Sequence, residues 1–217
     1  MRLPFPNAHF SQRVRYGRYV ARRLRRAKRV ALATDVEAAT LEVLKRGREV
    51  EDADGPVQDA MADRDAADDD LDTAAQEARV RLAGRSADAV NTAPYTLIFP
   101  QGIGYYTAAP LDEEMERYDE LRKRLAELLA VDDPVRKEAV PVIDSGLATF
   151  AAAMDALAKA RTEEALAATR LDAAEDAWAR IMTKVYGLLL SELGRGGAAR
   201  FFPKPKGAKK KIEDAQV

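Results

Sequence analysis

Between Leu147 and Leu193 only Gly187 interrupts a helical pattern, and no proline occurs there. At 1.5 Å per residue that segment spans roughly 70 Å. Its apolar stripe begins Ile143, Leu147, Phe150, Met154, Leu157 and resumes Leu171, Trp178, Met182, Val185, Leu189. The polar stretch from Arg161 to Glu164 sits between the two halves. A stripe of that length is covered only by other long helices laid beside it. This one segment therefore commits the chain to a helical architecture.

The remaining segments are read the same way. Ala, Leu, Arg and Glu are abundant and aromatics are only 6% of the chain. Those four residues lose little rotamer freedom in a helix. A first helix is expected over about 10–53, with the stripe Val20, Leu24, Ala27, Ala31, Thr34, Ala38, Leu41 and a second row at Val36, Val43, Val50. The run Asp52-Ala53-Asp54-Gly55-Pro56 is expected to stop it, because Gly suits the residue after a helix end and Pro the first turn of the next. A second helix follows over 56–90, and so short a turn makes the two an antiparallel hairpin. A third is expected over 111–131 and a fourth over 134–193, with Pro141 and Gly146 as early break points and Gly194-Arg195-Gly196-Gly197 as its end. Residues 91–110 contain Pro94, Pro100 and Pro110, with β-branched and aromatic residues between them. They form either a short β-hairpin of 95–99 against 103–107 or an ordered loop over the bundle. The expected organisation is a flexible lead-in over 1–8, a helical domain over 9–194 and a basic, largely disordered tail over 195–217. The fold class is all-α: an elongated antiparallel bundle of four or five long amphipathic helices with an aromatic loop or small β-hairpin insertion.

Composition removes several chemistries. The chain has no cysteine and one histidine, His9. Thiolate zinc sites, cysteine nucleophiles, disulfide scaffolds and paired Glu-x-x-His di-iron motifs are thereby excluded, and a Ser-His-Asp triad is hard to build from His9, which precedes the first helix. Gln101-Gly102-Ile103-Gly104 lacks the third glycine and the Lys-Ser/Thr of a phosphate loop. The acidic run Asp63, Asp65, Asp68, Asp69, Asp70, Asp72 lacks the glycine and terminal glutamate of an EF-hand loop and reads as a solvated helix face. No catalytic residue, metal site or cofactor is expected, and the chain is not read as an enzyme. The N-terminus has no apolar signal region, and no apolar run approaches the ~20 residues of a membrane span. The longest run of leucines is Leu188-Leu189-Leu190, and a cytoplasmic location and no transmembrane segment are expected.

The net charge of −1 conceals segregation. Residues 1–50 carry 13 Lys/Arg and 4 Asp/Glu, whereas residues 51–90 carry 4 and 12. Arg13, Arg15, Arg18, Arg22, Arg23, Arg25, Arg26, Lys28 and Arg29 lie on the expected first helix, with Tyr16 and Tyr19 among them. A hairpin turning near residue 54 brings Arg79, Arg81 and Arg85 to the same end, and Lys204, Lys206, Lys209, Lys210 and Lys211 extend the set. These residues form the candidate polyanion site, for nucleic acid or an anionic surface. Tyr95, Ile98, Phe99, Tyr105 and Tyr106 form a candidate docking surface or, alternatively, a buried cap. Two functional readings follow. The first is a non-enzymatic structural or scaffolding protein acting through helix packing and self-association, with itself or another protein as partner. The alternative is sequence-independent nucleic-acid binding.

Overall fold

The computed structural model describes Met1 and residues 3–203. The described chain is all helical, without a strand: α1 (Phe10–Arg26), α2 (Val30–Ala83), a 3-10 turn (Ala89–Asn91), α3 (Tyr95–Ile98), α4 (Gly104–Thr107), α5 (Glu114–Leu128) and α6 (Pro134–Ala199). It divides into two compact units. Unit 1 comprises residues 1–53 and 164–217, and unit 2 comprises residues 54–163. The two longest helices, α2 and α6, contribute to both.

In unit 1, His9 opens α1, its Nδ1 accepting from the Ser11 N–H at 3.3 Å. The helix ends at Arg26, not near residue 53 as the periodicity predicts. Lys28 takes a left-handed conformation, with φ 59°. Around it the Arg29 N–H donates to the Leu24 carbonyl and the Lys28 N–H to the Arg25 carbonyl. These two bonds close the helix end in a Schellman motif, normally built on glycine. The chain then reverses into α2, and the hairpin turn lies at 27–29. Three non-helical residues shift the helical phase, so the predicted stripe residues Ala31, Thr34, Ala38 and Leu41 are exposed, while Ala33, Val36, Thr40 and Val43 are buried. Gly17 and Gly47 allow close approach of α1 and α2, because a Cβ at Gly17 would strike Thr40 and one at Gly47 the Phe10 ring. The C-terminal part of α6 completes the core with Ala174, Trp178, Met182, Val185 and Leu189. The Trp178 Nε1–H donates to Thr40 Oγ1 at 3.2 Å, and that hydroxyl donates to the Val36 carbonyl at 2.6 Å.

Part of each end expected to be loose is tied into unit 1, while residues 204–217 of the expected tail lie outside the described residues. Arg13 is only 6% exposed. Its guanidinium donates to the carbonyls of Ala8 (2.5 Å), Pro6 (2.8 Å) and Phe5 (3.3 Å) and pairs with Glu175 at 3.0 Å. The segment 5–8 is therefore held by a buried cation. At the other end, Gly194 leaves the helix with φ 67° and ψ 174°. Helical turns resume to Ala199, and Ala198 and Phe202 are buried in the core, with Phe202 edge-on to Tyr186 at 5.5 Å. Residues 195–203 are thus part of the unit, not of a tail.

In unit 2, α2 passes through Gly55-Pro56 without stopping. A proline inside a helix removes one N–H bond and crowds the preceding turn. Val57 and Ala60 offset this by packing with Leu157. Further along, a Cβ on Gly146 would lie 2.7 Å from Leu71, and Arg85 pairs with Asp133 at 2.5 Å. These pairs run α2 antiparallel to α6. In contrast α5 lies parallel to α2, since Glu114 meets Asp68 and Tyr118 meets Asp72. A parallel pair needs a connection that travels back along the helix, which is the role of residues 84–113. That connection is two short helices and a 3-10 turn, not a β-hairpin. Ile98, Phe99 and Tyr106 join Tyr118, Leu121, Leu125, Ile143 and Phe150 in the core. By length and composition α6 also holds a stretch apolar enough to cross a membrane, with 22% of that stretch buried. Ile143, Phe150 and Leu157 of this helix are buried inside unit 2.

Candidate polyanion-binding site

The amphipathic pattern of α1 builds the site. Phe10, Val14, Val20, Ala21 and Leu24 turn into the core. The spacing 3-4-4 then places Arg15, Arg18, Arg22 and Arg26 in a single stripe about 16 Å long on the opposite face. All four are exposed, and none has an ion pair or hydrogen-bond partner among the described residues. Lys28, at the turn, is likewise exposed and unpaired among them. Tyr19 flanks the stripe at 45% exposure. Tyr16 does not join it: its ring packs edge-on against Trp178 at 5.9 Å, and burial pushes its hydroxyl up to about 12.

The other predicted cations are already engaged. Arg13 is the buried anchor described above. Arg25 donates from Nε to Glu37 Oε1 at 2.6 Å, and that bond holds the Glu37 carboxyl below its ordinary value. Arg29 pairs with Glu192 at 2.5 Å. Arg23 donates from Nε to the Arg200 carbonyl at 3.1 Å. Arg79, Arg81 and Arg85 do not come to the same end as α1 residues by a hairpin at residue 54, because no hairpin exists there. They lie in unit 2, where Arg79 donates to the Tyr95 hydroxyl at 3.2 Å, Arg81 pairs with Glu138, and Arg85 with Asp133. Lys204, Lys206, Lys209, Lys210 and Lys211 lie outside the described residues.

Division into units sharpens the charge segregation. Unit 1 carries 23 Lys/Arg against 13 Asp/Glu, formally +10, and unit 2 carries 12 against 23, formally −11. A guanidinium row on a positive unit offers planar, bidentate donors matched to phosphate oxygens.

The aromatic segment is placed as a packed cap. Ile98, Phe99 and Tyr106 are buried, and Tyr95 and Tyr105 are half-buried. Phe99 meets Tyr106 edge-on at 5.8 Å, and the Tyr106 hydroxyl donates to the Ile98 carbonyl at 2.9 Å. Arg117 stacks over the Tyr105 ring at 4.5 Å and donates to its carbonyl at 2.6 Å. These side chains are spent on holding 84–113 against α5.

A group that sequence reasoning passed over lies beneath this cap. Asp63, Asp65, Asp69 and Asp70 are exposed, but Asp68 and Asp72 are half-buried against α5. Glu114, in the first turn of α5, is 2% exposed and its Oε1 has no partner among the described residues. Burial, then the hydrogen bond to Asp68, pushes its carboxyl up to about 8. Burial likewise raises Asp72, opposed by the hydrogen bond that the Tyr118 hydroxyl donates to it. The signal was present as two i,i+4 pairs, Asp68/Asp72 and Glu114/Tyr118, on helices whose parallel pairing was not foreseen.

No protein-family model, curated protein or solved structure matches the chain.

Proposed function

We propose that this protein is a non-enzymatic binder of nucleic acid, gripping the phosphate backbone through unit 1 without reading sequence. The observation that carries this reading is the stripe Arg15, Arg18, Arg22, Arg26, exposed and unpaired among the described residues on a unit of formal charge +10. Leaving four guanidinium groups in a row costs mutual repulsion, which a polyanion relieves while releasing its own counterions. Tyr19 at the stripe's edge offers a ring to an unpaired base. The test is binding of a random-sequence duplex across a salt series. Wild type is expected to bind with a steep negative dependence of affinity on salt. Changing Arg15, Arg18 and Arg22 to Gln is expected to reduce that slope by about three, one phosphate contact each. Absence of binding at low salt, or an unchanged slope in the variant, overturns the reading.

A second reading is favoured by the opposite charges of the two units. The positive unit of one copy complements the negative unit of another, which supports a scaffold built by self-association. Both readings place no reaction on the chain.

A further inference from the structure

Beside the stripe lies a cavity of about 720 Å³ with a distinct composition. Its charged lining among the described residues is Arg23, Arg26, Arg195 and Arg200, and no described carboxylate lines it. Its apolar wall is Ala27, Leu193 and Phe201. Three features make it more than a crowded surface. First, the nearest acid in sequence, Glu192, is already bound by Arg29. Second, Arg23 spends only its Nε on the Arg200 carbonyl, which fixes the plane of the guanidinium and leaves its two terminal nitrogens free to donate. Third, Gly194 at φ 67° reverses the chain so that Arg195 and Arg200 come back beside the end of α1. The volume falls within the ~300–1,000 Å³ usual for small-ligand sites. Four guanidinium groups sharing one concavity repel each other strongly unless an anion sits among them.

We propose that this cavity binds a terminal phosphate carrying an attached ring: the phosphates meet Arg23, Arg26, Arg195 and Arg200, and the ring lies against Leu193 and Phe201. Four cations call for a ligand of at least two negative charges, so a phosphomonoester or polyphosphate fits and an internal phosphodiester does not. The same chemistry comes from a free nucleotide or from the 5′-phosphorylated end of a strand. The proposal stands apart from backbone binding by the stripe, with which it shares only Arg26.

Titration calorimetry of the full chain at low salt tests it, with ATP, adenosine, and short single strands bearing either a 5′-phosphate or a 5′-hydroxyl. ATP is expected to bind and adenosine not to. Arg195→Ala combined with Arg200→Ala is expected to weaken ATP binding by at least about tenfold, as losing charge-assisted bonds to phosphate requires. Arg15→Gln, Arg18→Gln, Arg22→Gln is expected to leave ATP binding within about twofold while reducing duplex binding. If strands with a 5′-phosphate bind more tightly than both ATP and 5′-hydroxyl strands, the source is a strand end. If ATP exceeds the strands, it is a nucleotide. No ATP binding together with no preference for the 5′-phosphate overturns the proposal, as does equal binding by wild type and the Arg195/Arg200 variant. Circular dichroism and Trp178 emission establish that each variant is folded. The ATP-against-adenosine comparison rests on wild type alone.

Discussion

At Glu114 a carboxyl is buried with one oxygen unpartnered among the described residues, and its raised value makes it a source of pH dependence. In the unfolded chain the group ionises near its ordinary pH, about 4.3, whereas in the fold it holds its proton up to about 8. Between those values the unfolded state binds fewer protons than the native one, so stability falls as pH rises through this window and levels off above it. Glu114→Gln keeps an N–H donor toward Asp68 and removes the charge. It is expected to flatten the fall in thermal midpoint between pH 5 and pH 8 and to stabilise unit 2 by on the order of 2 kcal/mol at the upper end. Thermal melts at several pH values check this, and a variant that keeps the wild-type slope contradicts it. Arg13 shows the opposite use of a buried charge. Four partners hold its two terminal nitrogens, and the Arg13 charge opposes the burial that raises Glu175. Both sites were visible in the sequence only as members of charge clusters, because burial is a property of neighbours rather than of residue type.

For the helices, two breaks exchanged places relative to expectation. The predicted stop at Gly55-Pro56 is continuous helix, and the real stop is at Ala27–Arg29. Lys28 occupies a left-handed position that an L side chain enters at a cost of about 1 kcal/mol. Lys28→Gly is therefore expected to raise stability by about 0.5–1 kcal/mol in denaturant melts, with the chain's helical content unchanged. The reverse holds at Pro56, which is exposed inside α2. Pro56→Ala restores a helix N–H and is expected to stabilise by about 1–3 kcal/mol. Destabilisation by this change would show that the proline serves the local geometry of α2. The Schellman bonds at Leu24 and Arg25 need no glycine, so no residue type announced the turn. Once three non-helical residues intervened, every later position on α2 rotated relative to the stripe counted from Val20. The α6 stripe was legible because no such interruption occurs before Gly194, and its residues Ile143, Phe150, Leu157, Trp178, Met182, Val185 and Leu189 are buried.

Taken as a whole, the molecule carries nearly balanced charge divided into a unit of +10 and a unit of −11. If copies associate through these opposite charges, sedimentation at low salt is expected to show a larger species that dissociates as ionic strength rises past about 0.1 M, where the screening length nears 10 Å. Added duplex should compete with it, because both use unit 1. A species that is insensitive to salt would point instead to apolar packing. The all-helical character was determined by the sequence itself, since helix propensity and a 3.6-residue apolar period are local properties that survive any arrangement of the chain. Segment-by-segment charge was equally local. Which arginines remain free was not. Arg25, Arg29, Arg81 and Arg85 are neutralised by Glu37, Glu192, Glu138 and Asp133, at separations that only helix pairing brings together. Arg15, Arg18, Arg22 and Arg26 meet no acid among the described residues. Tertiary structure decided the site for this reason: an ion pair, a buried carboxyl or a shared cavity depends on distance through space, and a change of turn from residue 54 to residue 28 replaces every such distance while leaving the helical pattern intact.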